Sequence, residues 1–93
     1  MSSRFIIEDE SHAEWHSEHP SLFDAAEELK RLAGIPWDQR PNVAPCQSWK
    51  TCGRKYEVVE YDSAKTPWRE LRRLPALEIN AKGVLWDQSF PLT

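Results

Sequence analysis

Ser21-Leu22-Phe23-Asp24-Ala25-Ala26-Glu27-Glu28-Leu29-Lys30-Arg31-Leu32-Ala33-Gly34 is the segment on which the fold turns. Leu22, Ala25, Ala26, Leu29, Leu32 and Ala33 recur at helical spacing and form one apolar stripe, which Phe23 broadens near its start. Ser21 is placed to cap the amino end, and Asp24 follows where it meets the positive end of the helix dipole. Lys30 and Arg31 lie near the negative end, and Glu27 precedes Arg31 by four residues, a favourable orientation for a helical ion pair. Gly34 is the expected left-handed C-cap, and Pro36 stops the helix from resuming. A single amphipathic helix needs an apolar surface to cover, and the flanking segments supply one as strands.

Upstream, Arg4 to Glu8 is a short apolar run suited to a strand, and Asp9-Glu10-Ser11 is polar enough to turn. From Ser11 to Ser17, Ala13 and Trp15 alternate with His12, Glu14 and His16, the period-two pattern of a half-buried strand. The two runs are expected to pair as a hairpin. His19-Pro20 then ends the sheet segment.

Downstream, Arg54 to Tyr61 reads as a strand, with Tyr56 and Val58 on one face and Val59 and Tyr61 on the other. Apolar groups on both faces place it centrally in a sheet. Thr66-Pro67 resembles a helix start, and Trp68, Leu71 and Leu74 predict a short helix before Pro75. Residues 76–79 and 84–86 flank Asn80-Ala81-Lys82-Gly83 and read as a hairpin. Residues 87–93 are expected to be a loose tail that Phe90 could anchor. The expectation is one α+β domain over residues 1–93: an antiparallel or mixed sheet of about five strands, ordered β-β-α-loop-β-short α-β-β, packed on one main helix.

Ile35 to Gly53 fits no regular element. Pro36, Pro41 and Pro45 break it, while Trp37, Trp49, Cys46 and Cys52 argue against disorder. Long ordered loops in compact domains are commonly functional. Trp37 and Trp49 are therefore expected to anchor a protein partner or a second copy of the chain. Asn42 and Gln47 would supply polar groups, and Lys50 and Arg54 would meet acidic ones. The opposing reading folds the two indoles back onto the sheet as a plug.

A second expectation is a thiol or metal site on Cys46 and Cys52 with His16 or His19. The five residues between the cysteines fit neither a Cys-x-x-Cys redox pair nor the usual zinc spacing. Lys50, Arg54 and Lys55 surround Cys52 in sequence, and positive neighbours lower a thiol pKa. Arg69, Arg72 and Arg73 would share one side of the short helix and could grip phosphate or carboxylates.

Composition narrows the classes. The net charge is −3, which gives no general attraction to nucleic acid or anionic membrane. Residues 1–28 hold one base and eight acids, so the amino-terminal third is strongly acidic and the remainder basic. No apolar run is long enough for a membrane span, and the amino terminus has no secretory pattern; the expected compartment is the cytosol with reduced thiols. No nucleophile elbow, phosphate-binding loop, dinucleotide fingerprint or His-Glu-x-x-His motif occurs, so no cofactor and no reaction are assigned.

Overall fold

A computed structural model describes residues 3–44 and 53–91 of the chain. The elements are β1 (Ser3–Asp9), β2 (Glu14–His19), α1 (Leu22–Ala33), β3 (Arg54–Asp62), β4 (Arg69–Asn80) and β5 (Gly83–Trp86). All strands join one antiparallel sheet of five, ordered β2-β1-β3-β4-β5. The helix covers one face. Its Ala25, Ala26, Leu29 and Leu32 pack on Phe5 and Ile7 of β1, Tyr56 and Val58 of β3, and Leu77 and Ile79 of β4.

Ser21 caps the helix as its sequence position implies, accepting from the Asp24 amide at 3.1 Å. The other end differs from expectation. Gly34 is right-handed, with φ −88° and ψ −4°, because its amide and that of Ile35 bond back to Arg31 and Leu32 in a tightened last turn. The salt bridges also shift by one residue. Arg31 grips Glu28 with two bonds, of 2.7 and 2.6 Å, and Glu27 instead faces Lys30 at 3.5 Å.

The hairpin β1–β2 starts its second strand at Glu14, not Ser11. The Asp9 carboxylate accepts from the Ser11 amide at 3.1 Å and so holds residues 10–13 in a turn, with Ala13 at φ 54°. His12 consequently lies in the turn rather than on a strand face beside His16. A register shift at Ile7/Glu8 leaves His16 as the extra residue between Trp15 and Ser17.

The predicted short helix before Pro75 is absent; Arg69 to Leu74 belong to β4. Three apolar residues at helical spacing are a weak local pattern. The nine-residue β3 has backbone groups along its whole length to satisfy, and pairing them with β4 outweighs that pattern. Leu71 is the extra residue at a second register shift, which breaks the alternation that marks a strand. The arginines are divided accordingly: Arg72 lies opposite Glu60, and Arg73 lies opposite Val59 on the other face.

The carboxy-terminal segment is also tied down where described. The Asp87 amide bonds to the Ala76 carbonyl at 2.8 Å, and Phe90 enters the core and stacks on Trp86 with ring centroids 6.5 Å apart. The loose tail expected from residue 87 is therefore a folded turn as far as Phe90.

Candidate functional site

The loop after the helix carries the residues that the sequence offers for partner contact. Trp37 packs against the core as a partly buried side chain, which is the plug arrangement. Asn42 is 1% exposed. Its amide nitrogen donates to the carbonyls of Leu32 at 2.9 Å and Ile35 at 2.8 Å, while its oxygen accepts from the Tyr56 hydroxyl at 3.0 Å. Asn42 thus ties down the helix end from outside it, giving the Leu32 carbonyl a second donor beside the Ile35 amide and pairing the Ile35 carbonyl just past the helix. Both of its N–H groups are used, so it presents no donor to a partner. Gln47, Trp49, Lys50, Cys46 and Cys52 lie outside the described residues.

Arg54 is likewise turned inward. It donates to the Asp9 carboxylate at 2.9 Å, to Glu14, and to the Val43 carbonyl at 3.0 Å. Asp9 is 1% exposed and takes four donors: Arg54, the amides of Ser11 and Lys55, and the His12 ring. This hub ties the β1–β2 turn, the loop end and β3 together. His16 contacts Glu28 at 2.8 Å, and the Arg31 guanidinium holds that carboxyl down to about 2. His19 contacts Ser17 at 2.8 Å instead. Among the described residues, no three His, Cys, Asp or Glu side chains are arranged to hold a metal ion.

The sheet face away from the helix carries a different surface. Backbone pairing places Arg4, Ile6 and Glu8 of β1 on it, beside Tyr61, Val59 and Glu57 of β3. Ile6 and Val59 are fully buried although no helix covers them. Three aromatic rings lie on this side: Tyr61 is 6.0 Å from Trp15 and 6.1 Å from Trp68, and the two indoles stack at 6.3 Å with 25° between their planes. Tyr61 is fixed by its hydroxyl, which donates to Glu8 at 2.6 Å. Burial and that contact push the phenol up to about 12. Trp15 remains 59% exposed.

Next to the aromatic rings runs a charge network. Arg73 donates to Glu57 at 2.9 Å, Glu70 at 2.9 Å and Glu8 at 3.4 Å. Farther along the strands, Lys55 lies opposite Glu78, and Glu78 lies opposite Leu85. By register this face carries Glu8, Glu18, Glu57, Glu70 and Glu78 against Arg4, Lys55 and Arg73, and so is net negative. Comparison with protein-family models, curated proteins and solved structures gave no match.

The residues of this face escaped notice in the sequence for a physical reason. Trp15 alternates as a half-buried strand residue does, and Trp68 shares helical spacing with Leu71, although the chain from Arg69 onward is a strand. The usable signal was β3 itself: Val59 and Tyr61 on its second face require a cover, and the helix could supply only one. Among the described residues no helix is long and apolar enough to cross a membrane.

Proposed function

We propose that this chain is a protein-interaction module whose contact surface is the helix-free face of the sheet, and that its partner presents a basic, extended segment. The observation that carries this reading is Trp15, stacked on Trp68 yet 59% exposed. A stacked indole with an open face is a preordered anchor: it offers a large apolar area and its ordering cost is already met by folding. Trp and Tyr are also the residues that dominate binding energy at interfaces. The excess of carboxylates around the rings selects the charge of the partner, because cationic side chains gain from both the aromatic faces and the acidic rim.

The reading differs in location from the one suggested by the Trp/Pro-rich loop, whose Trp37 and Asn42 serve the core and the helix end. Its test is a binding titration of a labelled acetyl-(Arg-Leu)3-amide peptide, followed by anisotropy at low and moderate salt. Binding that weakens with salt, is absent for the (Glu-Leu)3 counterpart, and falls about tenfold in a folded Trp15→Ala variant supports it. Equal binding of both peptides, or concentration-dependent dimerisation that buries Trp15, contradicts it.

A further inference from the structure

The same face contains a cavity of about 490 Å3 toward β4 and β5, across the sheet from Trp15 on β2. That volume lies within the range of roughly 300–1,000 Å3 typical of small-molecule sites. Pro75, Leu85 and Trp86 give it an apolar lining, and Lys55, Glu78 and Asp87 are its charged members. We propose that this cavity is the anchor site for an arginine side chain of the bound segment. The assignment rests on the reading of the face given above and names which partner group would enter and where.

The walls are built before any partner arrives. Asp87 is tied to Ala76 through its amide, its carboxylate accepts from the Ser89 amide at 2.9 Å and from the Ser89 hydroxyl, and buried Phe90 closes the turn behind it. Those two contacts from Ser89 lower the Asp87 pKa and keep it ionised. Glu78 makes no hydrogen bond or ion pair among the described residues. Lys55 is the single cation of the lining; its ammonium pairs first with Glu10 at 3.2 Å and also feels the Glu78 carboxylate. Two carboxylates therefore border an apolar hollow against one lysine, itself shared with Glu10, and the hollow keeps an excess of negative charge. The aliphatic stem of an arginine matches the lining, and its planar fork of donors matches paired carboxylates better than a point charge does.

The distance is also suitable. Trp15 lies opposite Glu8 and Glu8 opposite Glu57, two residues from Lys55, so the rings and the cavity are separated mainly across the sheet, by about 14 Å over the three strand spacings from β2 to β4. An extended segment of about six residues covers that length, so one peptide can reach the aromatic rings and the cavity together.

The test uses the full chain, 15N-labelled, titrated with acetyl-(Arg-Leu)3-amide and with its citrulline counterpart, which keeps shape and loses charge. Expected are saturable shifts of the Glu78, Leu85, Asp87 and Gln88 amides, with affinity about tenfold lower for the citrulline peptide. A similar loss is expected in Glu78→Gln, a change that removes no internal bond, with Asp87→Asn as a second variant. Equal shifts with the citrulline peptide would assign the cavity to an apolar side chain and overturn the proposal. Shifts of the Trp15 and Trp68 indole N–H signals with the cavity amides unmoved would overturn the anchor alone. Stillness of both sets would overturn the reading of the face as well.

Discussion

Glu8 and Glu57 lie directly opposite each other on β1 and β3, and one Arg73 nitrogen reaches both carboxylates. Like charges in a cross-strand pair are destabilising unless a cation is shared between them. Both carboxylates are largely buried while Arg73 is about one-third exposed. Replacing Arg73 by Met should therefore cost about 2 kcal/mol, between the surface and buried limits. Adding Glu57→Gln to that variant should restore part of the loss. Urea unfolding of the single and double variants measures this; additive losses would show that the three groups are not coupled.

Asn42→Ala should destabilise by about 2–3 kcal/mol, since it removes the partner of the Ile35 carbonyl and of the Tyr56 hydroxyl and one of the two donors to the Leu32 carbonyl. The same variant, below its unfolding temperature, should bind a basic peptide as well as the parent does. Thermal melts and peptide titration check the two halves separately. A stable variant with lost binding would return Asn42 to a contact role.

Gly53 should not tolerate alanine. An added Cβ would lie 2.4 Å from the Ile79 carbonyl oxygen, and backbone cannot give way as a flexible side chain can. Loss of more than about 2 kcal/mol is expected, by overpacking against β4. Gly34→Ala is the control, because its nearest contact would be an ordinary 3.5 Å. Similar unfolding midpoints for both variants would contradict the close approach.

The two tyrosines give a test by pH. Burial raises both phenols from 10.0 to about 12, Tyr56 beneath the helix and Tyr61 on the open face with a further contribution from Glu8. A raised folded pKa means that the neutral form is favoured by folding. The corresponding stability is complete below pH 10 and is lost as the pH climbs toward 12. Absorbance at 295 nm should show little tyrosinate at pH 11 until the chain unfolds. Half-ionisation near pH 10 with the fold intact would contradict the burial of both rings.

The helix was legible because its stripe, Ser21 cap and terminal charges all agree. The faces of β3 were legible from alternation over nine residues. The first half of β4 was not, since Leu71 interrupts the alternation and the need to pair with β3 is a nonlocal demand. Asn42 shows the same limit in the site. A polar residue in a proline-rich loop looks like a surface donor, and nothing near it in sequence reveals the helix end 10 residues back that uses its amide. Trp15, Tyr61 and Trp68 come from three separate segments, so their meeting follows from sheet order rather than from any motif.

The role of the helix-free face is tested most directly by the five indole N–H signals during titration with acetyl-(Arg-Leu)3-amide. Trp15 and Trp68 should move first and saturate together, while Trp37, packed on the core under the other face, stays in place. Movement of Trp37 with Trp15 and Trp68 unchanged would put binding on the loop and contradict the assignment.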